Sequence, residues 1–166
     1  DTIDALGGND TITSGGGLDN LLGGAGDDTI VLDAPVTNGS QFDGGTENDT
    51  LKILPGAMTA TGNGPFANLV AVATKNFETI QLGTQAGEVV RAIMHTGQLG
   101  GVTTIKGGAG VDVFIVVTGA PGTYSLQPLT LADWTEGTDF FLFTADPAAT
   151  GDYTLNTGLH NGIYNV

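Results

Sequence analysis

The chain has 166 residues, with 18 acidic against 4 basic, a net charge of −14 and no cysteine. Lys52, Lys75, Arg91 and Lys106 cannot build a basic patch, so nucleic acid is excluded as a partner, and without cysteine there is neither a disulfide framework nor a thiolate metal or redox site. No apolar run approaches the ~20 residues of a transmembrane segment, and no N-terminal signal peptide is present.

Residues 1–31 read in nines. The fullest copy is Gly23-Gly24-Ala25-Gly26-Asp27-Asp28-Thr29-Ile30-Val31. Copies at 14–22 and 5–13 precede it, and residues 1–4 are the tail of a fourth. Asp recurs at Asp1, Asp10, Asp19 and Asp28, each followed two residues later by an aliphatic: Ile3, Ile12, Leu21, Ile30. Linker sequence does not hold an aliphatic in register with an Asp, so the period signals a repeat architecture. Glycines ahead of each Asp permit tight turns with bunched carbonyls. The Asp adds a hard anionic oxygen, and oxygens of these two kinds are what Ca²⁺ takes. Candidate ligands are Asp1, Asp10, Asp19 and Asp28, the neighbouring Asn9 and Asp27, and the turn residues Gly8, Gly17, Gly24 and Gly26. The three residues after each Asp form a very short strand with the aliphatic inward. Thr2, Thr11, Asn20, Thr29 and Thr50 then make an outward, solvated file.

Residues 33–43, with Pro35 and Asn38-Gly39, break the count as a loop. The nine returns at 44–52, giving Gly45 and Asp49 as candidate ligands, with Glu47 in the place of the fourth-position glycine. Residues 51–54 are a strand ended by Pro55-Gly56, and 57–64 read as a loop. Residues 66–74 are apolar and fit a strand or a short helix. Residues 77–82 alternate as a strand, and 88–96 form another. Residues 98–106 are a worn copy with Thr103 at the Asp position and no ligand. The nine at 107–115 is intact and contributes Gly108, Gly110 and Asp112. Residues 114–117 are a core strand, 120–122 a turn, and 124–131 an alternating strand. Aromatics gather beyond it: Trp134, Phe140, Phe141, Phe143, Tyr153 and Tyr164.

The nines resemble the G-G-x-G-x-D-x-(apolar)-x repeat of the RTX family, which residues 23–31 match at every specified position. The resemblance implies an all-β fold: a right-handed parallel β-roll or β-helix, two rungs to the turn, with several Ca²⁺ between stacked turns. It also implies that Asp10 partners Asp28 and Asp1 partners Asp19. Residues 76–82 (Asn-Phe-Glu-Thr-Ile-Gln-Leu) look like the spacer rungs of RTX-type surface-layer and adhesin proteins. Residues 132–143 resemble the aromatic segment that caps many RTX arrays, as a repeat stack needs. The implied organisation is one elongated domain: calcium repeats at 1–54, β-rich spacer rungs at 55–97, a second repeat block at 98–117 and a cap at 118–166. The chain opens in mid-repeat, so a longer parent with more repeats or another domain upstream is expected.

There is no metalloprotease His-Glu-x-x-His, no Gly-x-Ser-x-Gly and no phosphate loop, and His95 and His160 are isolated. No enzymatic activity is expected. The reading is a calcium-dependent structural module of an exported bacterial surface-layer or fibre-forming protein, extracellular or on the cell surface. Its partners would be Ca²⁺ and either further copies or upstream domains of the same parent. The alternative is the C-terminal folding and secretion module of a secreted enzyme or toxin.

Overall fold

A computed structural model describes residues 1–61, 64–118, 123–125, 129–135, 138–144, 154–156 and 164–165. The strands in chain order are β1 (Thr2–Asp4), β2 (Thr11–Thr13), β3 (Asn20–Ala25), β4 (Thr29–Leu32), β5 (Gln41–Thr46), β6 (Thr50–Ile53), β7 (Thr59–Thr61), β8 (Gly64–Asn68) and β9 (Ala73–Lys75). They continue as β10 (Thr79–Leu82), β11 (Val89–His95), β12 (Thr104–Lys106), β13 (Val111–Val117), β14 (Thr123–Ser125), β15 (Thr130–Ala132), β16 (Phe140–Thr144), β17 (Thr154–Asn156) and β18 (Tyr164–Asn165). The helical content among the described residues is two short 3₁₀ turns, Pro55–Ala57 and Thr96–Leu99.

The strands stack into a parallel β-solenoid of about five turns. Face one is β1-β3-β5-β9, face two is β2-β4-β6-β10-β12-β15, and face three runs β7-β8-β11-β13-β16-β18. A further pair, β14 with β17, is also parallel. Only the β7–β8 hairpin is antiparallel among the described pairings.

The period of the sequence sets the start of the stack. Thr2 pairs with Asn20 and Thr11 with Thr29, so two nines make one turn. The loop after Asp33 lengthens the next turn, where Thr29 meets Thr50. After Ile53 the chain adds the β7–β8 hairpin and with it a third face, so Thr50 pairs with Thr79 across a much longer turn. Residues 57–64, expected as a loop, thus supply β7 and the start of β8. The apolar stretch at 66–74 resolves into the end of β8 and the start of β9, with a bend between. The strand expected at 77–82 is β10, and that at 88–96 is β11. Expected features at 120–122, 126–128, 136–137 and Tyr153 lie outside the described residues.

Inward apolar side chains of successive strands build the core. On face two Ile12, Ile30, Leu51, Ile80 and Ile105 stand in register, and Leu32, Ile53 and Leu82 form a second buried file. Face one contributes Leu21 and Phe42. Face three contributes Ala92, Phe114 and Phe141, the last two stacked with ring centroids 5.7 Å apart. Trp134 and Phe143 meet Phe141 edge-on at 6.5 and 5.1 Å, so an aromatic group closes the described core at its C-terminal side. The outward Thr file on face two runs on from Thr50 through Thr79 and Thr104 to Thr130.

Outward side chains differ between faces. Face two shows Thr13, Val31, Lys52, Gln81 and Lys106 beside its threonines. On face three, β11, β13 and β16 point Val89, Ile93, Val111, Val113, Ile115, Val117, Phe140 and Leu142 outward, interrupted by Arg91, His95 and Thr144. The Arg91 guanidinium lies 5.9 Å from the centre of the Phe66 ring on neighbouring β8.

A candidate metal centre at the corners of the solenoid

The corners between faces are built from the glycine turns. In the nines at 5–13, 14–22, 23–31 and 44–52 the second and fourth positions both take left-handed backbone, whereas at 107–115 only Gly108 does. In the fullest copy these are Gly24 (φ 108°) and Gly26 (φ 124°). Side-chain-bearing residues stand in the same conformation at Leu6 (φ 70°) and Glu47 (φ 86°), a cost of about 1 kcal/mol each. The turns also stack backbone on backbone. A Cβ on Gly26 would collide with the Gly8 carbonyl, and one on Gly45 with the Gly24 carbonyl. This packing brings carbonyl oxygens of one turn against the next.

Each Asp of the period sits where such a turn enters its strand, and consecutive turns are linked through it. Ahead of face two, the Asp10 N–H donates to Asp28 Oδ1 at 2.8 Å, the Asp28 N–H to Asp49 Oδ1 at 2.7 Å, and the Asp49 N–H to Glu78 Oε2 at 2.8 Å. Ahead of face one, the Asp1 nitrogen donates to Asp19 Oδ1 at 2.9 Å and the Asp19 N–H to Ser40 Oγ at 3.2 Å. Ahead of face three, the Asp112 N–H donates to Asp139 Oδ1 at 3.0 Å, while Asp139 Oδ2 takes the Thr135 N–H at 2.6 Å. Asn9 and Asp27 form a parallel link one residue earlier: Asn9 Oδ1 accepts from the Asp27 N–H and Asp27 Oδ1 from the Asn48 N–H, both at 3.1 Å.

These bonds use Oδ1 of Asp19, Asp28 and Asp49, and none of them uses the Asp112 carboxylate. Oδ2 of Asp19, Asp28, Asp49 and Asp112 is buried and has no hydrogen-bond partner. Leaving such an atom unpaired costs free energy, more so for a charged group. The carboxylates also repel each other. Burial pushes Asp49 up to about 6 against the opposing hydrogen bond from the Asp28 N–H, with Asp28, Glu78 and Asp27 adding repulsion. Burial likewise pushes Asp112 up to about 7, with Asp139 and Glu88 adding to it. Glu88 itself is held below the usual range by the Thr84 and Gln85 N–H groups, which donate to Oε2 at 2.7 and 2.8 Å.

Orphaned anionic oxygens beside stacked carbonyls fit a hard cation. A Cβ on Gly23 would fall 2.5 Å from Asp28 Oδ2 and against the Gly44 carbonyl, so this glycine keeps space open beside the orphaned oxygen. Among the described residues no three acidic or imidazole groups converge, so each site would take most of its ligands from the backbone.

Of the residues expected as ligands, Asp10, Asp28 and Asp49 share one corner, Asp1 and Asp19 the second, and Asp112 the third. Gly8, Gly24, Gly26 and Gly45 make the inter-turn contacts. Gly17 bonds across to the loop at Pro35, whose carbonyl accepts its N–H at 3.2 Å. Gly108 and Gly110 stack on the Leu82 and Glu88 carbonyls. Thr103 carries no carboxylate and is exposed; its N–H donates to the Glu78 carbonyl. Sequence reasoning missed Glu78, Ser40 and Asp139 as members of the corners, and Gly23 and Gly44 as their spacers. Two signals were available. Glu78-Thr79-Ile80 repeats the acid-Thr-aliphatic order of Asp28-Thr29-Ile30, and Gly137-Thr138-Asp139-Phe140-Phe141 preserves the G-x-D-x-apolar half of the nine.

Stacked glycine turns with paired, half-satisfied carboxylates define a β-solenoid with corners suited to a hard cation. The family model of the RTX calcium-binding nonapeptide repeat (4 copies) matches residues 1–30, so the first turns are similar to RTX repeats, and such repeats imply a calcium-binding module of secreted proteins. No curated protein and no solved structure matches the chain. No helix among the described residues is long and apolar enough to cross a membrane.

The raised carboxylates fix the sign of a pH effect. Asp49 and Asp112 hold their protons in the calcium-free fold up to about 6 and about 7, against 3.8 for an ordinary Asp. Between 3.8 and those values the unfolded chain has released protons that the fold retains. Stability is then greatest below 3.8 and falls as pH rises through the folded values. In EGTA the chain should keep more β structure at pH 5 than at pH 8. With saturating Ca²⁺, which needs the ionised carboxylates, the order should reverse. Circular dichroism under the four conditions checks this.

Proposed function

We propose that this chain is a calcium-dependent extracellular structural module of an exported bacterial surface-layer or fibre-forming protein, which folds on meeting Ca²⁺ outside the cell and then assembles. The observation that carries this reading is the set of orphaned, buried Oδ2 atoms at Asp19, Asp28, Asp49 and Asp112. Their unpaired charge opposes folding until a cation neutralises it. Asp1, Asp10, Asp19, Asp28, Asp49 and Asp112 supply the carboxylates, and the glycine turns supply carbonyls. Asp139 joins Asp112, and Glu78 joins Asp49. The chemistry supplied by the ion is charge neutralisation and coordination between turns. The role is structural, with no reaction assigned to the solenoid.

Extracellular modules commonly bind Ca²⁺ with dissociation constants of about 10⁻⁴–10⁻³ M. Such sites stay empty in a cytosol poor in free Ca²⁺ and fill on export. The test is a circular dichroism titration of the metal-free chain with Ca²⁺ and, in parallel, Mg²⁺. Ca²⁺ should bring β structure in the submillimolar to millimolar range, and Mg²⁺, which demands near-octahedral oxygen geometry, should not. A spectrum unchanged by Ca²⁺ or EGTA would sink the reading.

A further inference from the structure

We propose that the outward surface of face three is a self-association surface, on which a second copy of this chain packs sheet against sheet. Val89, Ile93, Val113, Ile115, Phe140 and Leu142 lie on it, with Val89 and Phe140 more than a third exposed. An apolar outward surface on three neighbouring strands is not what a solvated solenoid needs, and face two, made to the same plan, shows Thr, Lys and Gln instead. The register lines these residues up across the strands: Val89 pairs with Val111, Ile93 with Ile115, and Ile115 with Leu142.

Charge selects the occupant. At net −14, two copies meeting at their acidic corners repel. Outward face three carries no Asp or Glu among its described residues, and Arg91 is its one permanent charge, already drawn onto Phe66. It is a surface on which two copies can meet without opposing carboxylates. Two identical sheet faces can pack face to face about 10 Å apart around a two-fold axis. β11, β13 and β16, with seven, seven and five residues, at about 3.3 Å per residue and about 4.8 Å between strands give roughly 300 Å² per copy. The pair buries on the order of 600 Å², below the range of stable complexes, so the dimer should be weak, reversible and concentration-dependent.

The inference deepens the assembly part of the reading above and rests on it in one respect: the surface exists once the solenoid has folded. Sedimentation velocity of the full chain in saturating Ca²⁺ should show a monomer–dimer equilibrium across the micromolar range. Ile115→Glu should leave only monomer while the Ca²⁺-induced dichroism is unchanged. The native chain lacks cysteine, so a second readout is clean. Ile115→Cys should be joined by a short bis-maleimide, and Gln81→Cys on face two should not. A chain that folds with Ca²⁺ yet stays monomeric at every concentration overturns this inference alone, as does a dimer indifferent to Ile115→Glu with both cysteines joined equally. Failure of Ca²⁺ to induce β structure removes the functional reading instead.

Discussion

Asp28→Ala is expected to raise the Ca²⁺ concentration at the folding midpoint more than loss of Asp10 or Asp112. Asp28 stands in two inter-turn gaps at once: its Oδ1 takes the Asp10 N–H and its own N–H is given to Asp49 Oδ1. Removing the side chain leaves the Asp10 N–H unpaired, at about 1–3 kcal/mol. It also takes a ligand from two sites, each contributing about 1.4 kcal/mol when Ca²⁺ is tenfold above its dissociation constant. Together these reach about 4 kcal/mol or more, most of the stability of a marginal domain. Asp28→Asn separates the two contributions. Its amide oxygen can still accept from Asp10, while the buried negative charge is gone. In EGTA it should therefore show no less β structure than the parent chain, and in Ca²⁺ it should melt well below it. Thr103→Ala, at the worn copy, should be nearly silent. An Asp28→Ala chain with an unshifted Ca²⁺ midpoint in circular dichroism would show that these corners do not drive folding.

The parts of the fold that were legible in the sequence are those where one residue type meets one local backbone demand. Left-handed backbone at Gly24 and Gly26, an inward aliphatic at Ile30 and a corner Asp28 recur because each turn of the solenoid repeats the same constraint. The third face was not legible in the same way. It begins with the β7–β8 hairpin, whose residues carry no nonapeptide pattern, and its strands are justified by partners far along the chain, such as Val113 with Phe140. Residues 66–74 were ambiguous because a short apolar run suits several structures, and only the pairing of Ala67 with Ala92 and of Thr74 with Phe42 decides between them. At the corners, Glu78 was hidden by one added methylene and a lost glycine turn. Asp139 was hidden because its resemblance to a cap drew attention to the aromatics around it, although its register with Asp112 makes it the partner that a repeat Asp would be.

Gly44→Ala and Gly100→Ala make the same chemical change and should have opposite outcomes. Gly44 is buried in β5. A Cβ there would collide with the Asn76 carbonyl of the next turn, and would fall 2.5 Å from Asp49 Cβ and 2.8 Å from its Cγ. The first obstacle is backbone, fixed by the pairing of β5 with β9, in which Asp43 meets Lys75. The second is a buried carboxylate tied to the Asp28 N–H. Neither can yield as a flexible surface side chain would, so relief must open the turn or tilt Asp49 away. Overpacking of this kind costs about 3 kcal/mol, and displacing Asp49 also weakens Ca²⁺ binding, so the melting temperature and the Ca²⁺ response should fall together. Gly100 follows the Thr96–Leu99 turn with φ −59° and ψ −30°, is exposed, and has open space where its Cβ would stand. Alanine fits that backbone and restricts the unfolded chain, which should be neutral or stabilise by up to about 1 kcal/mol. Thermal melts in saturating Ca²⁺ read both. Equal effects of the two changes would mean that the β5 turn is looser than its contacts require, and that Asp49 is not held by its neighbours.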